Sequence, residues 1–213
     1  DNKALQWTSG DQDIAVVDEN GLVTGVGKGE SDIVATARDG SGITRSIRIT
    51  VRQPVQSLTL SAEECTLKTG DLYQLGCTAL PANADDKSVV WASNDSEVAA
   101  VDATGLVTAK KRGVATITAT AADGSGKSAS CQITVKQYAT GLTLDKENAT
   151  LYNGETLTLT PTVSPSDTSD KSLTWASNDE NIVTVLDGVV SALKAGTATI
   201  TATTVDGSNK SAS

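Results

Sequence analysis

The three tryptophans of this 213-residue chain recur at a constant spacing, which constrains its fold more than any other feature. Trp7, Trp91 and Trp175 lie 84 residues apart. The residues that begin at each Trp repeat as well, as WTSGDQDIAVV, WASNDSEVAAV and WASNDENIVTV. Self-similarity at a fixed period is the signature of consecutive copies of one structural unit. We therefore expect three small modules rather than one large domain.

The three copies differ in how much of the module they contain. Residues 54–137 hold a complete copy, which opens with VQSLTLS and closes with CQITVKQ. Residues 1–53 match only the later part of this copy, and residues 138–213 match it up to its closing strand. We expect a partial module, a complete module and a module that lacks its final strand.

Ends that cut through modules would leave strand edges unpaired. The first copy lacks the equivalents of VQSLTLS, CTLKTG and LYQLGCTAL, which would leave the face of Ile33 and Ala35 bare. Exposed edges and bare cores invite pairing with another chain. We interpret the ends as those of a fragment of a longer array. The alternatives are self-association through the cut ends, in which a neighbouring subunit supplies the absent strands, and a first half-module that folds differently.

Each copy has the pattern of β-structure throughout. Apolar and polar residues alternate with a period of two, and β-branched residues are frequent. The alternating segments of the complete copy are residues 72–80, 88–93, 115–121 and 131–135. Glycines predict hairpins between strands, at the Asp123-Gly124 pair, at Gly105 and at Gly70. Such turn signals, spaced by about 8 to 12 residues, predict all-β sandwiches.

The tryptophan is the large side chain that recurs in register. On the segment 115–121, Ile117 and alanines share one face, and threonines share the other. A face of small alanines leaves room for a large partner. We predict that one core anchor in each module packs across the sandwich onto this face, namely Trp7, Trp91 and Trp175. Leu75 and Leu159 are expected alongside.

Composition excludes several classes of function. The chain has no His, so it has neither a Ser-His or Cys-His catalytic pair nor an imidazole metal ligand. Its net charge is −9, from 17 Lys and Arg against 26 Asp and Glu, so nucleic acid and anionic lipid would repel it. The apolar runs are far shorter than the roughly 20 residues that span a bilayer. We expect no catalytic residue, no cofactor, no nucleic-acid partner and no membrane insertion.

Acidic residues recur where the chain turns after each Trp strand. Asp95 and Asp179 occupy one register and are weak candidates for a calcium site. A calcium ion takes six to eight oxygens from several segments, whereas this turn supplies about two or three. The alternative is an Asx turn, in which the side chain bonds its own backbone. The basic cluster at residues 110–112 is interpreted as a solvated edge or as a contact with an acidic surface.

The order of segments from SLTL through TLKTGD, WASNDSEVAAV, GLVTA, GVATITATA and DGSG to CQITV resembles bacterial immunoglobulin-like domains of group 2, the modules of invasin and intimin type cell-adhesion proteins. The resemblance extends over all 213 residues. It implies small Greek-key β-sandwiches that are used in tandem on bacterial surface proteins, in secreted enzymes and in phage virion proteins. It implies no catalytic residues.

In such a sandwich the short early strand runs parallel to the last strand, which would bring Cys65 near Cys131. A disulfide between them would stabilise the module by about 4 kcal/mol in the chain-entropy model. The alternatives are a bridge to Cys77 and three reduced thiols, since buried free cysteines are common.

We therefore expect a non-catalytic structural segment, the stalk or spacer of a bacterial surface or secreted protein, whose partners are neighbouring modules of the same longer chain. The alternatives are an adhesion module that binds a host protein or glycan and an accessory segment of a secreted enzyme or phage virion. All of these place the chain outside the cell, at a bacterial cell surface or in a virion. Linkers of about five residues predict an extended, semi-rigid rod.

Overall fold

The protein is all-β, as the sequence predicts. The computed structural model describes residues 4–213, which form 22 strands and contain no helix. These residues accordingly include no helix of the length and apolarity that a membrane span requires.

The strands follow the three repeats. The first repeat contains β1 (Leu5–Ser9), β2 (Ala15–Val17), β3 (Val23–Gly25), β4 (Gly29–Ala37) and β5 (Thr44–Val51). The second contains β6 (Ser57–Leu60), β7 (Glu64–Lys68), β8 (Leu72–Gln74), β9 (Cys77–Leu80), β10 (Val89–Ser93), β11 (Ala99–Val101), β12 (Leu106–Ala109), β13 (Gly113–Ala121) and β14 (Ser128–Lys136). The third contains β15 (Gly141–Leu144), β16 (Thr156–Thr158), β17 (Pro161–Ser164), β18 (Leu173–Ser177), β19 (Val183–Leu186), β20 (Val189–Ala192), β21 (Ile200–Thr204) and β22 (Ser211–Ala212).

The chain packs into two compact units. Among the described residues, the first unit comprises 4–61, Cys77–Val90 and Ala119–Ala129. Its sheets have the strand orders β1-β4-β5, β2-β3 and β6-β9, all with antiparallel pairs. Beside β6 and β9 lies a buried apolar cluster of Val55, Leu58, Ala84 and Ala121.

The second unit comprises Ala62–Gly76, Trp91–Thr118 and Ser130–Ser213. It holds most of the sheet β10-β13-β14-β7 and the sheets β11-β12-β8, β15-β17, β16-β20-β19 and β18-β21-β22. Strands β7 and β14 pair in parallel, as the family resemblance implies. Leu75, Ile117 and Ile133 are almost fully buried in the core of this unit.

Strand β13 shows the alternation expected for residues 115–121. Ala115, Ile117 and Ala119 are buried, whereas Thr116 and Thr118 between them are partly exposed. Successive side chains of a strand point to opposite faces of the sheet, so the small apolar residues face the core and the threonines face outward. The predicted core face is confirmed.

Two predictions about local structure are wrong. Residues 72–80 form two strands rather than one, because β8 pairs with β12 in one sheet and β9 pairs with β6 in another. The chain changes sheets at Leu75 and Gly76, which lie between them. Gly70 sits in a tight turn with a φ of +93°, but the strands on either side of it are not paired with each other, so it is not a hairpin.

The first repeat is better covered than expected. Ile33 is 1% exposed and Ala15 on strand β2 is fully buried, so Ile33 itself is covered. The short hairpin β2-β3 packs beside β4. Ile47 on β5 is the direct partner of Ile33 and shares its face, and it is 58% exposed, so this face is bare in part, as the sequence predicts.

Candidate functional site

Each tryptophan packs against the tight turn of a later hairpin in its own repeat. The indole of Trp91 lies so close to Gly105 that an added Cβ there would be 2.9 Å from Trp91 Cζ2 and 2.6 Å from the carbonyl oxygen of Leu75. The amide of Leu75 also donates to the carbonyl of Gly105, at 3.0 Å. Gly105 therefore lies between the backbone carbonyl of Leu75 and the indole of Trp91.

The same arrangement recurs in the other two repeats. A Cβ at Gly21 would lie 2.7 Å from Trp7 Cζ2, and a Cβ at Gly188 would lie 3.1 Å from Trp175 Cζ2. All three indoles are half-buried. The three turns have φ values near +84°, a conformation that glycine adopts without steric cost.

The predicted packing of Trp across the sandwich onto the Ile and Ala face is wrong. In the β1-β4 pair Trp7 is the direct partner of Ala35, and in the β18-β21 pair Trp175 is the direct partner of Ala202. Direct partners on antiparallel strands place their side chains on the same face of one sheet. The indole therefore lies beside the alanines of its own sheet, and the glycine turn is what it packs against.

The acidic turns hold their carboxylates in backbone hydrogen bonds. Asp95 Oδ1 accepts from the amides of Glu97 and Val98, at 3.1 and 3.3 Å, and Asp179 Oδ1 accepts from the amide of Asn181 at 3.0 Å. This is the Asx-turn arrangement. Among residues 4–213, no three His, Cys, Asp or Glu side chains converge as a metal-binding group.

The three cysteines are free thiols in the structure. Cys65 on β7 pairs with Ile133 on β14, so Cys131 lies two residues away along the neighbouring strand. The two Cα atoms of a disulfide are usually about 4.4 to 6.8 Å apart. An offset of two residues between neighbouring strands disfavours so short a distance between Cys65 and Cys131. The Cys65–Cys131 disulfide stays a prediction. Cys77 packs against the buried cluster beside β6 and β9. Burial raises the pKa of all three thiols.

The third repeat contains a cavity of about 570 Å³. It lies between residues 144–153 and 194–200, and aliphatic and polar side chains share its lining about equally. In the second repeat the corresponding early segment is strand β7, which pairs with β14, whereas residues 148–152 form no strand. The cavity thus follows from the looser pairing of this segment.

Sequence reasoning missed a set of bonds that hold the linkers between repeats. Asp123 Oδ2 accepts the amide of Val55 at 2.6 Å, and Asp206 Oδ2 accepts the amide of Ala139 at 2.6 Å. Hydrogen bonds from Ser125 and from the Val55 amide hold the pKa of Asp123 below its ordinary range. Asp-Gly-Ser recurs at both turns and also at residues 39–41, so this motif alone does not mark the linker role.

Comparison with known proteins matches the fold to one family. The model of the bacterial Ig-like domain (group 2) matches residues 1–46, 54–133 and 138–213, which is most of the chain. An uncharacterised protein of Clostridium acetobutylicum is 40% identical over 158 residues, covering 74% of this chain and 16% of that protein.

Two further relatives have named roles. The Ig-like virion protein of Serratia phage KSP90 is 34% identical over 160 residues, covering 72% of this chain and 62% of that protein. A 3-O-alpha-D-galactosyl-alpha-L-arabinofuranosidase of Bifidobacterium longum subsp. longum is 42% identical over 89 residues, covering 39% of this chain and 8% of the enzyme. The chain spans less than two thirds of the length of each of these three relatives. The family model covers all three repeats, and the chain belongs to the bacterial Ig-like domain family of group 2.

Proposed function

We propose that this chain is a non-catalytic spacer that holds a functional part of a longer extracellular bacterial or phage protein at a distance. The observation that carries the proposal is the tandem repetition: three consecutive family matches are separated only by residues 47–53 and 134–137. Short linkers that are themselves hydrogen-bonded restrict the motion of neighbouring modules. A chain built in this way sets a distance through the number of its modules.

The relatives support a role as a module of larger proteins. One is an Ig-like virion protein, and another is a glycosidase of which the match covers only 8%. A module shared by such different proteins supplies architecture rather than a particular chemistry. An accessory segment of a secreted enzyme is therefore the second candidate, and the glycosidase match favours it.

Module exchange in the full-length parent protein tests the spacer role. Residues 54–137 are replaced by an unrelated Ig-like module of similar length, and a second variant deletes them. If the chain is a spacer, the parent protein keeps its function when the module is exchanged, and its function changes when the module is deleted. An adhesion module loses binding to host protein or glycan in both variants, and that result would overturn the proposal.

The isolated chain provides a second arm of the test. Its binding is measured on a glycan array and on host cells, with a Trp91→Ala variant as the control for misfolded protein. Saturable binding by the native chain would favour the adhesion role over the spacer role.

A further inference from the structure

The junction between the first and second repeats is built from side-chain and backbone contacts. Lys28, in the turn before β4, places Nζ 2.7 Å from Asp85 Oδ1 and donates to the carbonyl of Asn83 at 3.1 Å. Asp85 Oδ2 accepts the amide of the linker residue Gln53 at 2.6 Å, and the amide of Asp85 donates to the Gln53 carbonyl at 2.9 Å. One loop of the second repeat therefore binds both the preceding repeat and the linker.

The junction between the second and third repeats has the same plan at positions 84 residues later. Arg112 Nη1 donates to the carbonyl of Asp167 at 3.4 Å. The linker residue Gln137 donates its amide to Ser169 Oγ at 2.9 Å, and the Ser169 amide donates to the Gln137 carbonyl at 2.7 Å. Recurrence of the same bonds through different side chains argues against an accidental surface contact.

The two junctions differ in chemistry. In the first, an ion pair joins Lys28 to Asp85, whereas in the second a neutral hydroxyl takes the place of that carboxylate. The second junction has Tyr138 where the first has Pro54. Lys68 Nζ lies 4.6 Å from the centre of the Tyr138 ring, and the Tyr138 Cε1 atom lies 3.6 Å from where a Cβ on Gly207 would stand.

We propose that each repeat recognises the repeat that follows it through a two-part clamp. A cation from the turn before the long strand, Lys28 or Arg112, binds a carbonyl on the loop after β9 or β17. A glutamine of the linker forms a two-way bond with position 85 or 169 of the same loop. The partner is a following repeat of the same family whose loop carries an oxygen acceptor at that position. The clamp is independent of the spacer role.

The clamp acts on geometry more than on stability. Exposed ion pairs contribute little to the free energy of folding. Lys28 and Asp85 are both partly exposed, so their pair restrains the linker without holding the repeats folded. Loss of the cation should therefore free the linker amides while the melting temperature of each repeat stays unchanged.

Amide hydrogen exchange by NMR on the full chain tests the clamp. Lys28→Ala should speed exchange at Gln53 and Asp85 by about two- to five-fold, the factor that an exposed ion pair supports, and leave Gln137 and Ser169 unchanged. Arg112→Ala should do the reverse. Lys87→Ala is the matched control, because Lys87 donates to Ala82 in the same loop from within its own repeat, at 3.0 Å.

Salt and acceptor variants separate the two parts of the clamp. Raised NaCl should reproduce the effect of Lys28→Ala at the first junction and spare the neutral bonds of the second. Asp85→Ala should speed exchange of the Gln53 amide more than Lys28→Ala does. It removes the carboxylate that accepts this amide as well as the ion pair with Lys28. The proposal is overturned if Lys28→Ala and Lys87→Ala give the same exchange rates, or if Asp85→Ala alone frees the linker.

Discussion

Replacing Gly105 by alanine measures how tightly the tryptophan packs on its turn, because two costs add at this position. The first is conformational: φ at Gly105 is +85°, and an L-residue in that region costs about 1 to 2 kcal/mol. The second is steric, since the new Cβ would lie 2.6 Å from the Leu75 carbonyl and 2.9 Å from Trp91 Cζ2, and overpacking costs about 1 to 3 kcal/mol. We expect the free energy of unfolding of the complete repeat to fall by about 2 to 5 kcal/mol.

Two other glycines of the chain provide matched controls. Gly124 has a φ of +82° but nothing within 4 Å of its added Cβ, so alanine there should cost only the conformational part, about 1 to 2 kcal/mol. Gly188 has a φ of +83°, and its added Cβ would lie 3.1 Å from both Trp175 and the Leu159 carbonyl. The expected order of destabilisation is Gly105 first, then Gly188, then Gly124.

Native-state hydrogen exchange is the assay, because a chain of several repeats need not unfold in one step and this method reports each repeat separately. Gly105→Ala should lower the protection of amides in β11 to β13 and leave those of β18 to β21 unchanged. Equal losses for Gly105→Ala and Gly124→Ala would refute the reasoning, since the backbone conformation alone would then account for the cost.

Three further predictions concern the core, the linker and the thiols. Trp91→Ala should destabilise its own repeat by about 3 kcal/mol and leave the third repeat intact in the same exchange measurement. Asp123→Ala should speed exchange of the Val55 amide, whereas Asp39→Ala, which removes the cap on Ser41 in its own turn, should not. Because the pKa of Asp123 is lowered from 3.8, its stabilising bonds are fully present above that pH and are lost as the pH falls through the lowered value, which exchange at Val55 across acid pH should follow. Cys131 is fully buried, so its thiol should react with a thiol reagent only after unfolding. One reactive thiol instead of three in denaturant would reveal a disulfide, and the identity of the reactive cysteine would distinguish a Cys65–Cys131 bridge from a bridge to Cys77.

Residue patterns predicted the faces of the strands but not their neighbours. The alternation of Ala115, Thr116 and Ile117 identifies the buried side of β13, because side-chain direction depends only on position along the strand. The same alternation continues without a break through residues 72–80, so it gives no sign that the chain changes sheets at Leu75 and Gly76. The Trp site shows the same limit, since sequence indicated a large side chain next to small ones without indicating whether they share a sheet.

The linker bonds were hidden for a different reason. Asp123 binds the amide of Val55, which lies 68 residues earlier in the chain. A backbone amide is present at almost every residue, so the sequence around Val55 contains nothing that marks it as a partner. The Asp-Gly turn predicted a hairpin correctly because glycine at positive φ is a local requirement. The second role of the aspartate depends on the folded arrangement.

Comparison of the three repeats separates two kinds of constraint on this chain. Inside the repeats, the position of Gly21, Gly105 and Gly188 admits no other residue without strain, because φ is positive and an added Cβ would lie 2.6 to 3.1 Å from an indole or a carbonyl. At the junctions a linker amide needs only an oxygen to accept it, and a carboxylate at Asp85 or a hydroxyl at Ser169 meets that need. Interior positions are thus restricted in identity, whereas junction positions are restricted only in hydrogen-bonding role. Consecutive repeats can therefore diverge at their contact surfaces and still keep one module fold, provided that each change preserves a donor on one side and an acceptor on the other.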